Sequence, residues 1–309
     1  MSRVAVIDLG TNTVRLLIAE DSSPGMNLLY QDQKITRLGE NLHHAGELTP
    51  AAIERNVDVI RQFHQASQKY RPDHYLIAGT SAVRQAKNRS VLSDRILQSV
   101  GVPLTVISGE EEARLSFLGT LLGIDRTNDN VVLMDIGGGS TEYILSDGDL
   151  PRSVVSTSLG VVRLTETHLS EHPILENEYF RLVDEVQQTL EKELGPFVEG
   201  NDFELVGTAG TITTIAAVDL NLETYDPSRV NNYRMKKGNV QIILDRLKSI
   251  SLDERLSIKA MEKGREDLII AGLAILMATF QYFNKDTITV SDYGLREGLA
   301  MDLIQRNGN

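Results

Sequence analysis

The 309-residue sequence is 41% hydrophobic and 24% charged, which is ordinary for a globular protein with enough chain for two domains. It contains no cysteine, and this excludes disulfides, thiolate catalysis and cysteine-bound metals. The formal net charge of −12 argues against general binding of DNA or of anionic membranes, because such proteins carry excess lysine and arginine.

The first half of the chain predicts three strands followed by alternating helices and strands. Residues 3–9 are apolar on both faces, as in the central strand of a covered sheet. Thr49-Pro50 marks a helix start, with threonine as cap and proline in the first turn. The predicted elements are strands at 3–9, 14–19 and 27–36, a helix at 50–70, a strand at 74–78, a helix at 90–100, a strand at 104–107 and a helix at 110–122.

The second half repeats this order, βββαβαβα, with inserted helices. The long helix that begins near residue 175 ends at Gly195-Pro196. We therefore predict two α/β domains, 1–124 and 125–309, that share a cleft, with a last helix able to pack back on the first domain. The predicted elements are strands at 131–136, 141–146, 153–158, 204–207 and 287–290, and helices at 175–194, 208–217, 238–249, 252–261, 266–283 and 295–304.

Two internal repeats support this duplication. Residues 4–15 align with residues 131–142 at an offset of 127, and residues 76–80 align with 204–208 at an offset of 128. The first repeat places a glycine-containing turn after Asp8 and again after Asp135. Glycines remove the Cβ atoms, so backbone N–H groups can surround an anion beside a carboxylate that can bind a metal. The two turns therefore predict phosphate handling.

Charged residues follow two other predicted strands of the first half. Glu110 and Glu111 open a helix, where carboxylates suit the positive end of the helix dipole without a catalytic role. Glu112 lies four residues after Ser108, where a strand ends at the expected cleft, and this favours a functional role. Arg84 is either solvated surface or a guanidinium fork aimed at phosphate.

Other polar residues are less informative. The six histidines lack metal-ligand spacing, which indicates surface or packing roles. The segments 264–267 and 294–298 precede or open helices, and each is either a helix cap or part of a site.

Six segments together resemble the exopolyphosphatase / guanosine pentaphosphate phosphohydrolase (Ppx/GppA) family, in its short two-domain form. The resemblance spans nearly the whole chain in order and implies the fold of that family, two duplicated actin-like (ribonuclease H-like) βββαβαβα lobes. The segments are Asp8 to Thr13, Gly79 to Arg84, Ser108 to Leu115, Asp135 to Glu142, Gly207 to Thr214 and Ser291 to Gly298.

The resemblance also implies roles for individual residues. Glu112 corresponds to the glutamate taken as catalytic base, and Arg84 to an arginine that binds substrate phosphate. Asp135 and Glu142 correspond to acidic residues linked to a divalent cation, expected to be Mg²⁺, and we also expect Asp8 to be able to reach that ion through water. The implied substrate-phosphate-binding residues are Gly10, Thr11, Asn12, Thr13, Gly137, Gly138, Gly139, Ser140, Thr141, Gly207 and Thr208.

From the residues and the resemblance we expect a cytoplasmic hydrolase that releases terminal phosphate from polyphosphate, from guanosine pentaphosphate, or from both. The resemblance implies a possible homodimer, and we expect neither DNA nor membrane partners. Two alternatives stay open. One is an ATP-dependent kinase of the same superfold, and the other is a guanosine tetraphosphate sensor with little turnover.

Overall fold

The computed structural model describes residues 2–22, 25–195 and 203–307, so the predicted helix stop at Pro196 lies outside these ranges. The chain forms two compact units: unit 1 is Met1–Leu122 together with Gly294–Asn309, and unit 2 is Gly123–Tyr293. The break falls close to the predicted boundary, and the last helix belongs to unit 1. Within the described ranges, no helix combines the length and apolar character needed to cross a membrane.

The sheet of unit 1 has five strands: β1 (Arg3–Leu9), β2 (Thr13–Asp21), β3 (Met26–Ile35), β4 (His74–Gly79) and β5 (Leu104–Val106). Their order is β3-β2-β1-β4-β5, with β1 antiparallel to β2 and parallel to β4. Because β1 is central, its residues from Val4 to Leu9 are all buried, as the apolar run predicts. The parallel strands β1, β4 and β5 therefore end at one edge of this sheet.

The helices of unit 1 before the crossing to unit 2 are α1 (Leu42–Ala45), α2 (Pro50–Ser67), α3 (Ser81–Gln85), α4 (Arg89–Val100) and α5 (Gly109–Leu121). A short 3₁₀ helix, Gln68–Tyr70, extends α2. Thr49 Oγ1 accepts a hydrogen bond from Ala52 N at the start of α2, so the predicted cap is present. Ser108 caps α5 in the same way by accepting from Glu111 N.

The sheet of unit 2 has six strands: β6 (Val131–Ile136), β7 (Thr141–Asp147), β8 (Leu150–Thr157), β9 (Glu204–Thr208), β10 (Arg234–Lys236) and β11 (Thr287–Val290). Their order is β10-β11-β9-β6-β7-β8. Read from β8 to β11, this order repeats that of unit 1, and β10 adds one strand. The predicted duplicated actin-like α/β fold is therefore confirmed.

Seven helices follow in unit 2 within the described ranges, and one more returns to unit 1. Helix α12 is apolar around its whole circumference because it is buried along almost its full length. The helices are α6 (Val161–His168), α7 (Glu176–Leu194), α8 (Ala209–Asp219), α9 (Pro227–Val230), α10 (Lys237–Lys248), α11 (Leu252–Leu256), α12 (Ile269–Tyr282) and, in unit 1, α13 (Leu295–Asn307).

Several short elements differ from the prediction. Residues 81–85 lie between the predicted strand at 74–78 and the predicted helix at 90–100, and they form an additional helix, α3, which carries Arg84. The helix predicted at 252–261 ends at Leu256. Helices α1, α6 and α9 and strand β10 were not predicted, because elements of three to eight residues contain too few repeats of an apolar pattern.

Helix α5 is fixed within unit 1 by close backbone contact with α13. A Cβ atom on Gly298 would lie 1.8 Å from the carbonyl oxygen of Leu115, and one on Gly119 would lie 1.9 Å from that of Gly294. Only glycine permits this approach. The segment 294–298, for which the sequence left a cap or a site open, thus has a packing role.

Candidate active site

The first repeated turn closes with the same hydrogen bond in both units. In unit 1, Gly10 N donates to Thr13 O over 3.0 Å, and in unit 2, Gly137 N donates to Ser140 O over 2.9 Å. A Cβ atom on either glycine would lie 2.9 Å from the same acceptor oxygen. The sequence repeat therefore corresponds to a repeated backbone geometry.

In unit 2, helix α6 holds the carbonyl oxygens of the turn. Val161 N donates to Gly137 O over 3.1 Å, and Val162 N donates to Gly138 O over 2.9 Å. In a planar trans peptide the N–H points opposite to the C=O. The N–H groups of Gly138 and Gly139 consequently point away from α6, which leaves them oriented as a pair of donors for an anion.

The turn of unit 1 is held in a comparable way by the segment that follows β3. Thr11 O accepts from Gly39 N over 2.8 Å, and Asn12 O accepts from Thr36 N over 2.9 Å. The N–H groups of Asn12 and Thr13 therefore point away from this segment.

Asn12 carries a second sign of a ligand site. Its side chain is buried, and neither Oδ1 nor Nδ2 has a hydrogen-bond partner among the described residues. A buried amide without partners costs about 1–3 kcal/mol for each unsatisfied group. Native structures retain few such groups, and they commonly mark places where water, an ion or a ligand binds.

Two glycines allow the segment after β3 and helix α6 to approach the turns closely, and the sequence analysis did not identify them. A Cβ atom on Gly39 would lie 2.4 Å from Thr11 Cγ2, and one on Gly160 would lie 2.3 Å from the carbonyl carbon of Gly139. A third internal repeat, of the form Thr-x-Leu-Gly, contains both glycines and could have identified them: Thr36-Arg37-Leu38-Gly39 and Thr157-Ser158-Leu159-Gly160.

The two units differ in the charge that faces the aspartate of the turn. In unit 2, Asp135 lies directly opposite Glu142 on β7, so two buried carboxylates share one face of the sheet with Cβ atoms about 5 Å apart. In unit 1 the matching partner of Asp8 is Arg15, whose Nη1 lies 3.5 Å from Asp8 Oδ2. The carboxylate of unit 1 is thus compensated by a cation.

The pair in unit 2 has the chemistry of a Mg²⁺ site. This ion binds proteins through one or two carboxylates and keeps several waters or takes substrate oxygens. Ser156 Oγ donates to Glu142 Oε1 over 2.7 Å, which orients that carboxylate. Asp135 and Glu142 therefore fit a Mg²⁺ ion, although no described group of three or more acidic or histidine side chains is arranged for one.

Arg84 and Glu112 meet directly in unit 1. Arg84 Nη1 donates to Glu112 Oε2 over 2.6 Å and to the carbonyl oxygen of Ile107 over 3.0 Å. The Glu112 side chain is 12% exposed and that of Arg84 is 23% exposed, so solvent reaches both. Arg84 lies on α3, just after β4, and Glu112 lies in the first turns of α5, just after β5. The pair is therefore at the carboxyl edge of the sheet, which is where open α/β sheets bind ligands.

The neighbours of Glu112 have different roles. Glu111 accepts two hydrogen bonds from Arg114, over 2.8 and 2.9 Å, and Arg114 also donates to Asp302 on α13. The Arg114 hydrogen bonds hold the pKa of Glu111 below its usual value. Glu110 is exposed at the helix start. Of the three acids, Glu112 is the one that contacts Arg84.

A second pair of turns follows β4 and β9. Thr80 N donates to Leu9 O over 3.2 Å, which joins this turn to the end of β1. In unit 2, Thr208 lies opposite Asp135 in the parallel register, and its Oγ1 donates to Tyr293 O over 2.8 Å. Gly207 and Thr208 are therefore close to the carboxylate pair, as their predicted role in phosphate binding requires.

Arg265 is a further candidate that the sequence left undecided between a helix cap and a site. The residue is 7% exposed, and its guanidinium packs against Gly210 at the start of α8, where a Cβ atom would lie 2.2 Å from Nη2. The absence of a side chain at Gly210 makes room for this contact. In the sequence, the only indication of this contact was Gly210, which lies three residues after Gly207.

A family model described as the Ppx/GppA phosphatase family matches residues 17–307 of the chain. Exopolyphosphatase 2 of Mycobacterium tuberculosis is 30% identical over 98% of this chain and 99% of its own length. Two longer relatives match with less of their length. The chain covers 44% of the length of a bifunctional 3-dehydroquinate synthase/phosphatase of Fusobacterium nucleatum, with 34% identity over 93% of the chain. It covers 59% of the length of a guanosine-5′-triphosphate,3′-diphosphate pyrophosphatase of Vibrio campbellii, with 27% identity over 97% of the chain.

Solved structures agree with the family match. The crystal structure of the Aquifex aeolicus member of the Ppx/GppA family superposes with a TM-score of 0.83, at 33% identity over 99% of both chains. An exopolyphosphatase from Cytophaga hutchinsonii superposes with a TM-score of 0.90, at 27% identity over 99% of this chain and 98% of that one.

Proposed function

Because the chain belongs to the Ppx/GppA phosphatase family, we propose that it releases terminal orthophosphate from inorganic polyphosphate, the 5′-phosphate of guanosine pentaphosphate, or both. The names of the mycobacterial and Vibrio relatives support both substrate classes. The observation that carries the proposal is the 2.6 Å contact between Arg84 and Glu112, since a carboxylate able to accept a proton then lies beside a guanidinium able to bind phosphate.

In the proposed reaction Glu112 accepts a proton from the attacking water. The water oxygen forms a bond to the terminal phosphorus, the bridging P–O bond breaks, and its electrons leave on the shortened chain. Such general base catalysis contributes about 10² to 10⁴ in rate. Arg84 donates to the non-bridging oxygens, where its planar fork suits two acceptors at once.

The glycine turn of unit 2 contributes binding rather than proton transfer. The N–H groups of Gly138 and Gly139 would donate to phosphate oxygens, and their orientation is fixed by α6 before any substrate arrives. Fixed donors need little reorganisation during the reaction. The corresponding groups in unit 1 are the N–H groups of Asn12 and Thr13 and the buried Asn12 amide.

Asp135 and Glu142 would hold Mg²⁺. When bound, the ion supplies positive charge that neutralises phosphate oxygens. Asp8 was also predicted as a metal residue. Its pairing with Arg15 reduces the negative charge available for a cation in unit 1.

Initial rates of orthophosphate release from short polyphosphate, long polyphosphate and guanosine pentaphosphate, each with Mg²⁺ and without a phosphoryl acceptor, test the proposal. Release from at least one substrate supports a phosphohydrolase. Transfer of the ATP γ-phosphate to an added acceptor, with formation of ADP and without orthophosphate release, would indicate the kinase alternative. Tight guanosine tetraphosphate binding without release would indicate the sensor.

A further inference from the structure

Arg255 is a fully buried cation on the short helix α11. Its Nε donates to Leu247 O over 2.7 Å, and its Nη1 lies 3.2 Å from Glu266 O and 3.0 Å from His172 Nδ1. Nη2 has no hydrogen-bond partner among the described residues, and burial lowers the Arg255 pKa to about 10. Asp267 is near enough to act on this charge, but among the described residues no carboxylate forms an ion pair with it. Burying such a charge is costly, so a role beyond stability is worth seeking.

The segment that Arg255 anchors is 262–268, which precedes α12. Its own hydrogen bonds make a tight turn, since Arg265 N donates to Glu262 O over 3.0 Å and Arg265 Nε donates to Glu262 Oε2 over 2.6 Å. Arg255 contacts this turn at the carbonyl of Glu266, the residue next to Arg265. Arg255 thus contacts the backbone of this turn one residue after Arg265.

The guanidinium of Arg265 lies in an electrostatically unfavourable place, so other contacts must maintain its position. Its guanidinium is against Gly210 in the first turn of α8, and a helix N-terminus carries partial positive charge that disfavours a cation. Ala209, the first residue of α8, has a φ of 70°, which is uncommon for a residue other than glycine. This start of α8 directly follows the Gly207-Thr208 turn that is predicted to bind phosphate.

We propose that Arg255 is a positioning residue, which keeps the guanidinium of Arg265 at the start of α8 and depends on a neutral His172 to do so. The kinetic part of this inference rests on the proposed phosphohydrolase function. A guanidinium has no acceptor, so His172 Nδ1 must accept the hydrogen bond from Arg255. Protonation of Nδ1 would remove that acceptor and place two cations together.

The surroundings of His172 support this dependence. Burial and the nearby Arg255 lower its pKa, while Asp267 in the anchored segment, Glu178 on α7 and the adjacent Glu171 act in the opposite direction. The net effect lowers the pKa of His172, which favours the neutral ring that accepts the hydrogen bond from Arg255. The anchor should therefore weaken as the pH falls.

Hydrogen exchange provides a test that does not need activity. In Arg255→Met and in Arg255→Lys, which retains the charge but lacks the fork, amides at 264–269 and 209–212 should exchange faster than in the wild type. Tyr143→Phe removes another buried polar contact of unit 2, the one to Thr279, and is the matched control, with no change expected in these two segments. Unchanged exchange there in both Arg255 variants would overturn the inference.

Kinetics then show whether Arg255 acts through Arg265. Arg255→Met should raise KM for tripolyphosphate about tenfold with little change in kcat, as is typical for residues behind a binding group. In an Arg265→Ala background the same substitution should have no further effect on KM, whereas an independent, additive effect would contradict positioning.

The pH dependence separates this role from simple packing. KM of the wild type should rise as the pH falls below 6.5, the ordinary histidine value, and His172→Asn, whose amide oxygen accepts but does not titrate, should abolish that rise. An equal rise in both proteins would exclude His172 from the mechanism. A wild type that releases no phosphate would defeat the proposed function, and the exchange experiment would still decide whether Arg255 anchors the segment.

Discussion

Arg84 Nη1 and Glu112 Oε2 form a 2.6 Å ion pair at the carboxyl edge of the unit 1 sheet. One partner is an arginine suited to phosphate, and the other is a carboxylate suited to proton transfer from water. A phosphate that attracts the guanidinium competes with Glu112 for it. In the proposed reaction, substrate binding and the activation of the base would therefore be linked through this contact.

Glu112→Gln tests the base. The amide keeps a hydrogen-bond acceptor for Arg84 but cannot accept the proton of water, so kcat should fall about 10² to 10⁴-fold with little change in KM. Orthophosphate release at saturating substrate measures this. Glu110→Gln, in the same turn of α5 but exposed, should leave kcat unchanged. A folded Glu112→Gln protein with near-normal turnover would exclude this residue as the base.

Arg84 variants test phosphate binding. Arg84→Ala should lower kcat/KM about 10 to 100-fold, because a hydrogen bond to a charged group is worth about 1.5–3 kcal/mol. Arg84→Lys should recover only part of the loss, since lysine keeps the charge without the planar fork. Arg95→Ala removes an arginine exposed on α4 and serves as control. If the two alanine variants behave alike, Arg84 is an ordinary surface residue.

Asp135→Asn and Glu142→Gln test the metal assignment. Each removes one negative charge from the carboxylate pair, so the Mg²⁺ concentration for half-maximal activity should rise about tenfold or more. Asp147→Asn, at the exposed end of β7, should not shift it. A Mg²⁺ titration with the same half-point in all four proteins would place the ion elsewhere.

Gly160→Ala tests the packing of α6 against the glycine turn. The added Cβ would lie 2.3 Å from the carbonyl carbon of Gly139, so the turn must shift, at a cost of about 1–3 kcal/mol in unfolding free energy. Activity should fall further than this loss of stability explains, because the turn donors move. Gly238→Ala, where a Cβ meets nothing within 4 Å, is the matched control for urea unfolding and phosphate release. Full activity in Gly160→Ala would show that the turn does not bind substrate.

Glu204 makes stability depend on pH. Burial tends to raise its pKa, but hydrogen bonds from Thr289 and Thr127 outweigh burial and hold it below the usual value. A carboxyl whose pKa is lower in the folded state stabilises the protein above its unfolded pKa and loses this contribution as the pH falls. Urea unfolding between pH 7 and 3 should therefore show a shallower acid dependence in Glu204→Gln. An unchanged slope would mean that other carboxyl groups dominate.

The sequence predicted the duplicated fold and the glycine turns because these depend on local pattern. A strand followed by glycines has the same signature wherever it occurs, and its repetition at an offset of 127 residues made the assignment specific. Glu112 could be separated from Glu111 by its spacing from Ser108, although their different partners are visible only in the structure.

Residues whose role depends on tertiary contact could not be predicted. Gly160 is required by the approach of α6 to a turn about twenty residues earlier. Arg255 looks like an ordinary helix residue in an exposed, charged segment, and its burial arises from its contacts with His172 and Glu266. These partners could not be predicted from a hydrophobic pattern within α11, because the helix is only five residues long.

The two halves of the chain carry side chains of opposite charge at one repeated position, Arg15 in unit 1 and Glu142 in unit 2. Arg15 and Glu142 occupy the same place relative to the aspartates they face, yet one neutralises its neighbour and the other doubles the negative charge. A variant in which Arg15 and Glu142 exchange places would keep the fold pattern and interchange the two charge arrangements. The internal symmetry of this protein is thus one of architecture, and a single side chain on each second strand makes its halves chemically non-interchangeable.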